Sequence, residues 1–156
     1  SDLYNTLLSL SRNLYFYNKI NLKDTFETRV YLMFFHFSAL LIVFKNKKIN
    51  FPQTSYDSLF HSIENNLREL GFGDVAVNKK MKVLNKIFYD ILLKISKKDG
   101  QLIINEKLIF KYFDELNYLK NDKYHHFVRY FSEFYHFCFD IDPKIMIKQA
   151  INFKVS

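Results

Sequence analysis

Residues 24–45, "DTFETRVYLMFFHFSALLIVFK", are the most apolar run in the chain and decide its fold. Asp24 or Thr25 can accept the free backbone N–H groups of a helix start, so the pattern predicts a helix from about this point. Between Val30 and Phe44 the run has no charge, and such a helix is apolar on every side. A central core helix and a membrane span share this pattern. Because a span needs roughly 20 apolar residues, the length favours a core helix over membrane contact.

Helical spacing also marks the segments on either side of this run. Apolar residues in 3–17 recur at steps of four and three, which describes one face of a helix. The pattern returns at residues 55–70, where Thr54 followed by Asp57 resembles a capping box. The apolar arc of the helix at 55–70 is formed by Leu59, Phe60, Ile63, Leu67 and Leu70. Both helices are therefore predicted to be amphipathic.

A longer apolar stripe predicts a fourth helix. Its members are Val77, Met81, Leu84, Phe88, Ile91 and Ile95. Further helices are predicted at 105–120 and from 122 or 123 to about 139. A last helix is expected after "DP", with Asp142 as its cap and Pro143 in its first turn. The sequence shows no strand pattern and no internal repeat.

The composition fits one folded domain. The chain has 156 residues, of which 49% are hydrophobic and 25% charged, and only three are glycine and two proline. Few helix breakers favour long helices. We therefore predict an all-α fold, a single compact domain over residues 1–156, with about seven helices around the central apolar helix at about 24–45. The single cysteine, Cys138, excludes an internal disulfide and is expected to be a buried apolar residue.

The lysines and the arginines of this chain differ in what they indicate about function. A net charge of +7 suits an acidic partner, an anionic membrane surface or nucleic acid, but A/T-rich codons explain an excess of lysine equally well. In such a sequence an arginine is expected where a forked guanidinium is needed, at bidentate or partly buried pairs. The four arginines are Arg12, Arg29, Arg68 and Arg129.

The usual local signatures of catalysis and metal binding are absent from the sequence. It contains no nucleophile elbow, no paired-cysteine knuckle and no histidine pair at i and i+4. We predict no enzyme activity, no metal site and no cofactor. His36 lies inside the apolar helix, where an imidazole needs a hydrogen-bond partner. Two interpretations of His36 are open: a core histidine whose ring nitrogens are hydrogen-bonded, and a contact to haem.

Two glycines lie close together in "LRELGFGDVAVNKKMK", residues 67–82. A phosphate-binding loop needs a preceding strand, which this stretch lacks, so Gly71 and Gly73 are predicted to shape a turn between helices. Asp74 or Asn78 is the expected cap of the second helix. Lysines follow at positions 79, 80, 82 and 86. They suit phosphates or acidic partner residues, and a solvated helix face explains them as well.

Three motifs together resemble the ubiquinol-cytochrome c chaperone family. They are "LSRN..YFY" at 10–17, "DTFETRVYLMFFHFSALL" at 24–41 and "ENNLRELGFGDVAVNKKMK" at 64–82, and the resemblance covers roughly residues 4–93. Family members often have glycine and arginine after the phenylalanine-tyrosine pair, where this chain has Asp90 and Ile91. Any role of that family arginine is not carried over.

The resemblance implies a non-enzymatic, all-helical chaperone for the assembly of respiratory complex III. Its implied client is newly made cytochrome b, and a small helical partner protein, the ribosome and the membrane surface are further implied contacts. No direct role on DNA is expected. The implied location is the matrix side of the mitochondrial inner membrane, or the cytoplasm beside the inner membrane in a bacterium. The alternative reading is a basic helical binding module for haem, nucleic acid or the ribosome.

The corner within 64–82 is the predicted partner or client surface. Its polar side chains are Arg68, Glu69, Asp74, Lys79, Lys80 and Lys82. An internal role is the alternative for Arg68, which can pair with Asp74 or Asp24 and hold the corner together. A membrane-protein client also requires an apolar groove, lined by tyrosines and phenylalanines. The remaining polar motif residues, without an assigned role, are Arg12, Asp24, Arg29 and His36.

Overall fold

The computed structural model describes residues 1–117 and 122–156. Its helices are α1 (Asp2–Ser11), α2 (Phe26–Asn46), α3 (Gln53–Glu69), α4 (Asp74–Leu93), α5 (Glu106–Tyr112), α6 (Asp122–Phe139) and α7 (Met146–Gln149). Shorter elements are a π-helix (Tyr15–Lys19), two 3-10 turns (Asp114–Leu116 and Ala150–Asn152) and the strands β1 (Ile95–Lys98) and β2 (Gln101–Ile104). The all-α prediction is confirmed, since these two strands form the one small sheet in the described residues.

Helix α2 is the centre of the domain because its neighbours cover almost every side of it. α1, α4 and α6 pack against it, and Thr25 caps its start by accepting a hydrogen bond from the Thr28 N–H at 3.1 Å. In the described ranges it is the one helix long and apolar enough to cross a membrane. However, 72% of its most apolar window is buried inside the domain. The chain thus uses this helix as a core helix.

Aromatic rings fill the space around α2. Phe37 stacks on Phe88 of α4 with ring centroids 5.3 Å apart, and Phe35 meets Phe127 of α6 edge to face at 5.5 Å. α6, which follows all the motifs that carry the family resemblance, therefore supplies part of the core. The buried thiol of Cys138 belongs to the same core, and burial raises its pKa.

The prediction that the chain has no strands is wrong. β1 and β2 pair as an antiparallel hairpin, with Ile95 opposite Ile104. The turn is Asp99-Gly100, whose φ values of 52° and 78° are typical of a two-residue hairpin turn. Ile95 extended the helical stripe by coincidence: it is buried, as predicted, but α4 ends at Leu93.

Several helix boundaries also differ from the predictions at the ends of segments. The helix predicted at 3–17 ends at residue 11, and Leu14 is 67% exposed between α1 and the π-helix. Thr54 does not form a capping box, because α3 begins at Gln53 after Pro52. Asp142 accepts from the Lys144 N–H at 2.9 Å and caps a turn instead of α7.

The helix predicted at 105–120 is also shorter than expected. α5 ends at Tyr112 and a 3-10 turn follows it, while residues 118–120 of that prediction lie outside the described residues.

Candidate partner-binding groove

The corner between α3 and α4 turns on one glycine. Gly71 has φ +98°, a conformation that L side chains rarely adopt, and its N–H donates to the Arg68 carbonyl at 2.9 Å. Gly73 has an ordinary φ of −75° and itself occupies the cap position of α4. Neither Asp74 nor Asn78 is the cap, which corrects that prediction. Asp74 lies in the first turn, where its negative charge is favourable.

Arg68 bridges the two helices at this corner. Its Nε lies 3.5 Å from Asp74 Oδ1, and its terminal nitrogen lies 3.4 Å from Glu64 Oε1. Asp24 is paired elsewhere, with Arg29 at 2.6 Å. Since the Arg68 side chain is 41% exposed, each of these pairs contributes about 1 kcal/mol at most. The structure thus gives Arg68 internal partners at the corner.

Beside this corner lies an open groove of about 520 Å³ between the start of α2, the end of α3 and α4. Apolar side chains dominate its lining: Phe26, Tyr31, Leu67, Leu70, Phe72, Val83, Leu84 and Ile87. Leu70 and Val83 are each 56% exposed and Phe72 is 38% exposed. Neighbouring exposed apolar residues are typical of an interaction surface. We call this depression the apolar groove.

Charged side chains form the rim of the apolar groove. Lys79 and Lys80 line it from α4 and Glu27 from α2. Lys80 Nζ lies 4.5 Å from the centroid of the Phe72 ring, a cation–π contact. Lys82 does not line the groove. The predicted lysine edge therefore borders the groove only through Lys79 and Lys80.

A second, smaller depression of about 200 Å³ adjoins the apolar groove, and we call it the arginine pocket. It lies between α1, α2 and α3, and Phe26 and Leu70 line both depressions. Arg12 and Arg29 line it, although they are far apart in sequence. Both are among the four arginines of this lysine-rich chain, but no local pattern in the sequence places them together. The remaining lining residues are Tyr4, Leu8, Val30, Met33, Ile63 and Asn66.

The charges of Arg12 and Arg29 affect the pKa values of nearby tyrosines. Burial raises the pKa of Tyr17 to about 12; the carboxylate of Asp24 adds to this, and the charges of Arg29 and Arg12 oppose it. Burial also raises the pKa of Tyr4, which Arg12 lowers and Glu69 raises. Asp24 thus acts on Tyr17 and Glu69 acts on Tyr4, and Asp24 also pairs with Arg29.

His36 lies fully buried, and both of its ring nitrogens have partners. Nδ1 lies 2.7 Å from the Leu32 carbonyl and Nε2 lies 2.7 Å from the Tyr130 hydroxyl. Since a carbonyl only accepts, Nδ1 carries the proton and Nε2 accepts from Tyr130. Burial lowers the pKa of His36 to about 3, partly opposed by the bond to Leu32. The ring is a satisfied core histidine with no free nitrogen for haem iron.

Asp90 ties α4 to α5. Its carboxylate accepts from Lys94, directly after α4, and from Lys111 and the Tyr112 hydroxyl of α5. Burial would raise the pKa of Asp90, but these hydrogen bonds outweigh it and hold the pKa well below its ordinary value. The position is thus a structural link in this chain.

The described residues hold no group of three or more His, Cys, Asp and Glu side chains arranged to bind a metal ion. The structure is thus an all-α domain with an apolar groove bordered by lysines. The Ubiquinol-cytochrome C chaperone family matches residues 18–106, more than half of the chain, and the chain belongs to that family. Comparison with curated proteins and with solved structures gives no match.

The family match covers the whole apolar groove but only part of the arginine pocket. All groove residues lie within 18–106, as does Arg29, whereas Arg12 and the motif at 10–17 precede the matched range. The family is one of chaperones for assembly of the respiratory machinery, which implies a non-enzymatic role.

Proposed function

We propose that the protein is a non-enzymatic assembly factor that binds newly made cytochrome b during assembly of respiratory complex III. The apolar groove is the surface that holds the client. The observation that carries this proposal is the exposure of Leu70, Phe72 and Val83 side by side, within the residues that the family matches. Removal of these side chains from water by a bound apolar segment lowers the free energy of the complex.

The size and charge of the groove define what it accepts. A volume of about 520 Å³ holds a few apolar side chains of a client segment, and not a whole transmembrane helix. Lys79 and Lys80 on the rim favour acidic side chains or the carboxyl end of a helix. A small, open groove suits reversible binding, which a chaperone needs in order to release its client.

The proposal also includes further contacts and a location. A protein of net charge +7 can bind anionic groups of other molecules. The contacts that we include are a small helical partner, the ribosome and the surface of the inner membrane. The proposed location is the matrix side of the mitochondrial inner membrane, or the bacterial cytoplasm beside it. A haem-binding role has less support, because His36 has no free ring nitrogen.

The decisive experiment is purification of the tagged full chain from its native cells, after the membranes have been solubilised in mild detergent. We expect cytochrome b to be enriched with the unaltered protein and lost with Val83→Asp in the groove. Leu93→Asp is the matched control, because Leu93 lies on the same helix, is 79% exposed and does not line the groove. Absence of cytochrome b from every purification would refute the proposal.

A further inference from the structure

Arg12 differs from the other three arginines in its partners. Arg29 pairs with Asp24, Arg68 with Glu64 and Asp74, and Arg129 with Glu133. Arg12 makes no ion pair within residues 1–117 and 122–156. In a chain where lysine supplies 19 of the 23 basic side chains, three guanidiniums hold internal carboxylates and this one does not.

The arginine pocket brings Arg12 to a second guanidinium. Arg29 lines the same pocket and uses one terminal nitrogen for Asp24, at 2.6 Å. A guanidinium has five N–H donors in a fixed fork, so Arg29 keeps donors beyond that bond. Two cations and the polar groups of Tyr4 and Asn66 therefore surround about 200 Å³ of space.

We propose that Arg12 and Arg29 form an oxyanion subsite that binds a carboxylate side chain of the segment seated in the apolar groove. The inference rests on the proposed function, because the groove supplies the neighbouring anchor. Phe26 and Leu70 line both depressions, so one segment can place apolar side chains in the groove and an acidic one in the pocket. The client site thus recognises an apolar segment with an adjacent acidic residue.

The chemistry of the pocket favours a carboxylate. A guanidinium presents parallel N–H groups that match the two oxygens of a carboxylate, and such charge-assisted pairs are roughly twice as strong as neutral hydrogen bonds. A phosphoryl group of a lipid has the same kind of oxygen acceptors, so an experiment has to separate the two sources. Glu69 lies near enough to affect Tyr4 but forms no ion pair with Arg12 in the described residues.

The first test titrates the free protein with sodium acetate and follows the arginine Nε–Hε signals by NMR, with sodium chloride as the ionic-strength control. We expect saturable shifts of the Arg12 and Arg29 signals. Arg68 and Arg129 are internal controls, because they are ion-paired outside the pocket, and their signals should follow chloride alone. Arg12→Gln should abolish the saturable shift of Arg29. If acetate moves all four signals alike, the subsite is refuted.

A second titration with inorganic phosphate separates the two sources of oxyanion. Saturation by phosphate without saturation by acetate overturns the carboxylate assignment and points to a lipid headgroup. This result does not depend on cytochrome b.

The third test repeats the purification of cytochrome b with the tagged Arg12→Gln variant, and Arg129→Gln is the control. We expect cytochrome b recovery to fall about tenfold with Arg12→Gln, as for loss of a charged hydrogen bond, and to stay unchanged with the control. Equal recovery with Arg12→Gln overturns the inference and leaves the proposed function intact. If the unaltered protein recovers no cytochrome b, the proposed function fails, and the acetate titration still decides whether the subsite exists.

Discussion

The Nε2 atom of His36 and the hydroxyl oxygen of Tyr130 lie 2.7 Å apart in the core and join α2 to α6. Tyr130 donates this hydrogen bond, since the Nδ1 proton of His36 is directed to the Leu32 carbonyl. Both side chains are completely buried, so neither polar atom can turn to water instead. The bond therefore connects the family-matched part of the chain to the part that follows it.

Removing the Tyr130 hydroxyl should destabilise the fold although the ring remains. Tyr130→Phe leaves His36 Nε2 buried without a donor, at a cost of about 1–3 kcal/mol in the free energy of unfolding. Urea denaturation followed by circular dichroism measures this value. The double variant His36→Leu with Tyr130→Phe removes both polar partners and should recover part of the loss. An unchanged urea midpoint for Tyr130→Phe would contradict the arrangement.

His36 should also make stability depend on pH. Its pKa falls from 6.5 in the unfolded chain to about 3 in the fold, because burial disfavours the charged ring. Between these values the unfolded state binds more protons, so stability is complete above pH 6.5 and falls as the pH decreases toward 3. The slope from this residue is about 1.4 kcal/mol per pH unit. Urea titrations at several pH values measure it, and the double variant should show a smaller slope.

Helices with a long apolar signal were the best predicted from the sequence. α2 was predicted from its uninterrupted apolar run and α4 from its regular apolar stripe, and the predicted ends of both lie within a few residues of those observed. The hairpin was missed because Ile95 happens to continue the stripe of α4, although Asp99-Gly100 is a recognised hairpin turn. A local turn signal outweighed the helical pattern at that point.

The candidate site was less predictable than the fold, because it depends on how separate helices meet. The lysines beside the corner were recognised, but only the fold shows that Lys79 and Lys80 line the groove and Lys82 does not. Arg12 and Arg29 were flagged as unusual arginines in a lysine-rich chain. Their shared pocket arises from the packing of α1 against α2 and α3, which no local pattern encodes.

The two corner glycines should respond unequally to alanine. Gly71 has φ +98°, so Gly71→Ala introduces backbone strain of about 1–2 kcal/mol. Gly73 has φ −75° and nothing within 4 Å of an added Cβ, so Gly73→Ala adds no strain. Alanine reduces the entropy of the unfolded chain but is a poor residue at a helix N-cap, so the net change should be within about 0.5 kcal/mol. Thermal denaturation of the two variants makes the comparison. Equal melting temperatures would contradict the assigned turn geometry.

Asp90 should contribute to stability through its links to α5. Asp90→Asn removes the charge that Lys94, Lys111 and Tyr112 contact, and we expect a loss of about 1–3 kcal/mol at neutral pH. Because these partners hold the Asp90 pKa low, its contribution is present above the ordinary carboxyl pKa and lost as the pH falls through the lowered value. The difference in unfolding free energy between the variant and the unaltered protein should therefore shrink in acid. A constant difference between neutral and strongly acidic pH would argue against the charged link.

Two neighbours on α4 should separate client binding from folding. Val83 is 56% exposed in the apolar groove, whereas Leu84 is 8% exposed and its side chain belongs to the core. An aspartate at position 83 stays in contact with water, so Val83→Asp should change unfolding free energy by about 0.5 kcal/mol or less. Leu84→Asp buries an unpaired carboxylate and should cost several kcal/mol or prevent folding. Circular dichroism and urea denaturation measure both effects. Loss of cytochrome b recovery by Val83→Asp at undiminished stability then assigns that loss to the groove, while a destabilised Val83→Asp would show that this side chain supports the fold.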